Sequence, residues 1–205
     1  MKNLTLDTFK QMLRNALNRV VERQYEFSQL DAILGDGDHG AAMVTAMQAA
    51  VEVAEKGTDY KTMLNDMGFS VMLQTSGSTS TLMGAFFLGM SDCVSGNSLD
   101  VADVRKMFIG GLKNIRTQTK AGIGDKTMLD ALIPAVEAII SIHSDDIREI
   151  LKVGAQAANA GAEQTVNMKA TFGRARNYSE RSIGSADPGA TSWACIFTAF
   201  AETIQ

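Results

Sequence analysis

The spacing of apolar residues restricts this chain to helices. Between residues 6 and 28, Phe9, Met12, Leu13, Ala16, Leu17, Val20 and Val21 fall at i, i+3, i+4, i+7 intervals, the stripe that an amphipathic helix buries. Leu6–Asp7 supplies its cap, and the pattern fades near Ser28. A second helix is expected from about Asp38 to Gly57 and a third after Asp59. The fourth covers TLMGAFFLGMSDCV, and the fifth starts at Leu99–Asp100. The sixth starts near Thr127, the seventh near Asp145–Asp146 and the eighth after Pro188–Gly189. No segment shows convincing strand alternation, so the expected fold is all-α, one domain over 1–205, with eight helices in an up-and-down bundle. Pro134 bends the sixth helix or marks a late start, whereas Pro188 suits the first turn of the last.

Four inter-helix stretches differ from ordinary connectors: LGDGDHG (34–40), QTSGSTST (74–81), AGIGDKT (121–127) and FGRARNYSERSIGSADPG (172–189). Each mixes glycine with polar or charged residues. They precede the second, fourth, sixth and eighth helices, positions that share one end of an up-and-down array. Three lead directly into a helix N-terminus, where free N–H groups and the helix dipole favour anions. One end of the bundle is therefore expected to be a site. A net charge of −4 gives no reason to expect a nucleic-acid or membrane-surface partner. No apolar run approaches the roughly 18–20 residues that span a bilayer, and the N-terminus has no signal-like apolar core, so a cytoplasmic location is expected. Cys93 and Cys195 match no zinc or redox spacing and read as buried thiols.

GDGDHG fits a bare G-x-G-x-x-G pattern, but a dinucleotide loop needs a strand before it. The only strand-like approach, FSQLDAIL, is short and broken by polar residues. Asp31, Asp36 and Asp38 instead gather three carboxylates within residues 31–38. Two carboxylates ~4 Å apart repel by roughly 4 kcal/mol at an effective dielectric near 20. The cluster is thus either a solvated acidic turn with a helix cap or a seat for a hard cation. An EF-hand does not fit: counting from Asp36, Gly40 replaces the fifth-position acid and Met47 the final Glu. Mg²⁺ fits better, because it commonly joins a few carboxylates to phosphate oxygens. Three aspartates and a nucleoside diphosphate bring together a charge of about −6, which two divalent ions balance better than one.

His39 reads equally as a polar helix-start residue or a functional one, and His143 as a surface residue at a helix end. AGIGDKT is not a Walker A loop, since Asp125 splits the Gly-Lys pair and no strand precedes it. Arg174, Arg176 and Arg181 are either solvated charge or a clamp for an anion.

LDAILGDGDHG, TSGSTSTLMGAFFLGM, GDKTMLDALIPAVE and GRARNYSERSIGSADPGATS, in that order, resemble the nucleotide-binding subunit of dihydroxyacetone kinase. The resemblance implies a barrel of antiparallel helices with ADP or ATP at one end, its phosphates held through two Mg²⁺ ions. It implies Asp31, Asp36 and Asp38 as metal ligands, and His39, Gly40, Ala41 and Ala42 as the first nucleotide-contacting turn. Ser78 and Thr79 match the next phosphate-contacting pair, and Met128 the adenine side. Arg174, Asp187, Pro188 and Gly189 match the closing loop. Arg174 is also the candidate stabiliser of phosphoryl charge; no other catalytic group is expected on this chain. In the phosphotransferase-system-dependent members, a phosphocarrier subunit rephosphorylates a retained ADP in place. The phosphoryl group then passes to dihydroxyacetone on a separate substrate subunit. A chain without a substrate module fits that arrangement. An ATP-dependent hydroxyketone kinase subunit with exchangeable ATP, a non-catalytic nucleotide-binding regulator, and self-association into a homodimer all stay open.

Overall fold

The computed structural model describes residues 1–74 and 77–204. Among the described residues the helices are α1 (Leu6–Glu22), α2 (Gln24–Leu34), α3 (His39–Lys56), α4 (Tyr60–Met72), α5 (Ser78–Ser91), α6 (Val101–Gln118), α7 (Leu129–Ser141), α8 (Ile147–Gln164) and α9 (Pro188–Thr203). Two short strands, β1 (Asn3–Thr5) and β2 (Ser98–Asp100), pair antiparallel with Leu4 opposite Leu99. Two 3₁₀ segments, Thr165–Asn167 and Ala175–Ser182, lie between α8 and α9.

Eight helices close a ring. α1 packs on α3, each helix from α3 to α8 packs on the next, and α9 returns to α1; α2 is added against α3 and α9. Neighbours in the ring run antiparallel, so α3, α5, α7 and α9 begin at one end and α1, α4, α6 and α8 at the other. The second end is stitched together by the β1–β2 pair and by the Met1 ammonium on Asp146 at 2.6 Å. Tyr60 N–H donates there to Gly96 O and Ile147 N–H to Met1 O, both at 2.8 Å. The ring is filled rather than hollow: Phe9, Tyr60, Phe108 and Phe197 are buried, and Trp193 meets Phe86 edge-on with centroids 5.0 Å apart.

Capping separates the two ends. Thr5, Asp59, Asp100 and Asp146 each accept a first-turn N–H of α1, α4, α6 and α8, a contact that stabilises a helix by about 1 kcal/mol. At the other end, among the described residues, Asp187 caps α9 in this way, while the residues at the N-cap positions of α3, α5 and α7 (Asp38, Gly77 and Met128) make no side-chain cap bond.

The all-α barrel is as expected from the sequence, with local differences. The first helix stops at Glu22 rather than near Ser28, because Arg23 leaves helical geometry, and the stretch through FSQLDAIL is helical, not strand-like. Its buried residues, Phe27 and Leu34, lie seven apart on one helical face. Leu99 and Asp100 belong to β2, with Asp100 capping α6. α5 begins at Ser78, so Ser78–Thr81 form its first turn instead of a loop. Thr75 and Ser76 of that motif lie outside the described residues. Cys195 is buried as expected but Cys93 is exposed, since α5 ends at Ser91 and leaves it in the following turn. α7 starts two residues after Thr127 and runs through Pro134, whose missing N–H leaves the Asp130 carbonyl without its helical partner. Gly161 of α8 covers that carbonyl: a Cβ there would stand 1.9 Å from the oxygen.

Candidate functional site

At the sparsely capped end, α2 delivers Asp31 in its last turn, and residues 35–38 fold back beside it. Two glycines allow this. Gly37 has φ +78°, and a Cβ on Gly35 would stand 2.3 Å from Asp31 Oδ1. One carboxylate oxygen from each of Asp31, Asp36 and Asp38 then lies within 4.8 Å of the others. Asp31 is half-buried and the other two are exposed. Arg174 forms an ion pair with Asp36 and holds its carboxyl below the usual range. Asp38 is pushed up, first by burial and then by the charges of Asp36 and Asp31. One guanidinium among three carboxylates leaves a surplus of about two negative charges on an all-oxygen donor set. That is the charge and chemistry that a hard divalent cation neutralises.

The predicted first turn follows at once. His39 N–H donates to Asp31 Oδ2 at 3.3 Å. The His39 ring ties three helices: Nε2 meets Ser192 Oγ at 2.9 Å and Nδ1 meets Thr79 Oγ1 at 3.3 Å. Ser192 donates its single hydroxyl proton to Gly189 O at 3.0 Å. The network therefore assigns the proton to Nε2, which donates to Ser192, and Nδ1 accepts from Thr79. Burial lowers the imidazole pKa, in keeping with a neutral ring. Gly40 is buried, and a Cβ there would stand 2.1 Å from Gln24 O, so α2–α3 packing alone demands glycine. Ala41 is exposed and Ala42 half-buried, in the first turn of α3. Ser78 and Thr79 begin α5, across from it.

Asp187 caps α9 by accepting Ala190 N–H at 2.7 Å, with Pro188 and Gly189 in the first turn. Burial pushes its carboxyl up to about 7, against the opposing effect of the Ala190 N–H. The residue as a whole is half-buried. Met128 is nearly covered and backs onto Gly189, whose Cβ would stand 3.2 Å from that of Met128. Of the three loop arginines, only Arg174 pairs with the acids; Arg181 lies over the Tyr178 ring and Arg176 is exposed. His143 is exposed, as expected.

Two residues escaped the sequence reading. Lys126 is 2% exposed and Asp130 1% exposed. The Asp130 carboxylate accepts Gly124 N–H at 2.6 Å and Thr127 N–H at 2.7 Å, which shapes the 121–127 loop. Lys126 lies in a motif whose pattern assigns it no separate role, and Asp130 has the spacing of an ordinary first-turn acid. Their one signal is that a Lys and an Asp follow Gly122 and Gly124, four residues apart.

The DAK2 domain model matches residues 33–202. An ADP-binding subunit DhaL of PEP-dependent dihydroxyacetone kinase 1 from Listeria innocua is 33% identical over 187 residues, covering 90% of each chain. The corresponding Escherichia coli subunit is 34% identical over 170 residues, covering 80% of each. The crystal structure of the dihydroxyacetone kinase from C. freundii in complex with AMP-PNP and Mg²⁺ superposes with a TM-score of 0.72 at 24% identity. It covers 94% of this chain, which spans 33% of that one. The match from the end of α2 through nearly all of α9, together with the shared barrel, places this chain in the DAK2 domain family.

Proposed function

We propose that this chain is the ADP-carrying subunit of a dihydroxyacetone kinase that draws its phosphoryl group from the phosphotransferase system. The observation that carries the reading is the union, at one end of the barrel, of three convergent carboxylates with the N-termini of α3 and α5, whose N-cap residues Asp38 and Gly77 make no side-chain cap bond. Asp31, Asp36 and Asp38 would hold Mg²⁺, two ions matching the charge of three aspartates and a diphosphate. Bound there, Mg²⁺ supplies the positive charge that holds phosphate oxygens in place as charge shifts during transfer. The starts of α3 (His39–Ala42) and α5 (Ser78, Thr79) would donate N–H groups and hydroxyls to the phosphates. Arg174 would share its charge between Asp36 and the phosphoryl group. Met128 and the Asp187–Gly189 turn would border the adenine. His39 is assigned a positioning role, because its ring already joins α5 to α9.

The partners are a subunit presenting dihydroxyacetone and a phosphocarrier subunit, and the reading sets the chain in the cytoplasm. Among the described residues no helix is long and apolar enough to cross a membrane. The test is to denature freshly purified protein and identify what it releases. Stoichiometric ADP with about two Mg²⁺ per chain is expected. A protein that is purified empty and binds ATP only reversibly would replace the retained cofactor with an exchanging kinase.

A further inference from the structure

Residues 165–187 form a loop held together at its base. Gly184 N–H donates to Val166 O, and Asp187 N–H to Thr165 Oγ1, each at 2.8 Å. A single ammonium from outside grips both ends: Lys126 Nζ donates to Thr165 O at 2.6 Å and to Ser185 O. This lysine is almost fully enclosed and sits at φ +59°, a left-handed backbone that costs a non-glycine residue about 1 kcal/mol or more. Its charge is set against Asp187 and Asp130. Asp130 shapes the turn that carries Lys126, and Asp125 binds Thr171, so the 121–127 turn is anchored on both sides. Midway round the 165–187 loop stands Arg174, paired with the acid cluster. A buried, left-handed lysine at a loop base has a structural cost that its two carbonyl contacts and the nearby charges of Asp187 and Asp130 offset.

We propose that Lys126 is a positioning residue for nucleotide retention. By joining residues 165 and 185 it keeps the loop that presents Arg174 closed over the phosphate end, and so sets how fast bound ADP leaves. The inference rests on the reading of this end as a nucleotide site. It assigns Lys126 no contact with the ligand; the lysine acts through Arg174.

The experiment follows dissociation of a fluorescent ADP analogue, loaded with Mg²⁺ and chased with ADP, from wild type, Lys126→Met, Lys126→Arg, Arg174→Ala and the Lys126→Met/Arg174→Ala double variant. Lys126→Met should dissociate about tenfold faster with an association rate within about twofold, equivalent to roughly 1.4 kcal/mol. Lys126→Arg should recover part of the loss. The double variant should release the analogue no faster than Arg174→Ala, because both changes remove one guanidinium's effect. Trypsin, which cuts after Arg174, Arg176 and Arg181, should cleave nucleotide-free Lys126→Met faster than wild type. An unchanged dissociation rate in Lys126→Met overturns the clamp and leaves the nucleotide site standing; failure of wild type to bind the analogue overturns both. If Lys126→Met does not fold, hydrogen exchange on wild type decides. The Gly184 and Asp187 amides should exchange far more slowly than those of 174–178, and equal rates refute the clamp.

Discussion

Asp36→Asn is expected to weaken ADP binding in Mg²⁺ by about a hundredfold while leaving the helical content unchanged. The amide keeps the shape of the side chain and removes its charge. Asp36 is one of three carboxylates whose oxygens converge, and it also carries the ion pair to Arg174. Removing one of three carboxylates from the cation that bridges to the diphosphate should be read as a loss of about a hundredfold in Kd. Stability should hold, because Asp36 lies in an exposed turn outside the helices and the core. Titration with ADP in Mg²⁺, beside far-UV circular dichroism, checks both halves. Undiminished affinity would remove Asp36 from the metal site.

Gly161→Ala is expected to act from the opposite direction, through packing. Its Cβ would collide with the Asp130 carbonyl oxygen, which is backbone and has no side-chain freedom to yield. Pro134 already deprives that carbonyl of a helical partner, and the close Gly161 Cα is what shields it. Forcing α7 from α8 should cost about 3 kcal/mol, at the upper end of overpacking, and lower Tm by about 10 °C. The damage should reach the site, because the displaced Asp130 holds Gly124 and Thr127 in the turn that carries Lys126. Thermal unfolding measures the first effect and ADP affinity well below Tm the second. A variant with wild-type Tm would mean that the helices separate there at no cost.

What was legible in the sequence was local. Asp31, Asp36 and Asp38 lie within one helix turn and the bend after it, so their convergence could be read from spacing. Pro188 at the start of α9, with Asp187 before it, was legible for the same reason. The helices are legible from periodicity, and their closure into a barrel from the family resemblance. α2 was missed because its apolar face is only two buried residues wide, Phe27 and Leu34, amid polar ones. The links that make the end a unit join distant positions: Arg174 to Asp36, His39 to Ser192, and Lys126 to Thr165 and Ser185. Periodicity has no register of such pairs. A buried lysine is also spelled like a surface one, so only tertiary structure distinguishes Lys126 from the other lysines.

The most direct test of the metal bridge is ADP binding by wild-type protein with and without the metal. The same titration is run in Mg²⁺, in EDTA, and after Mg²⁺ is restored. Binding that is lost in EDTA and recovered with Mg²⁺ is the predicted result, because the aspartates can reach a diphosphate favourably only through a cation. ADP held equally well in EDTA would contradict the account, since three carboxylates would then face the phosphates with no metal between them.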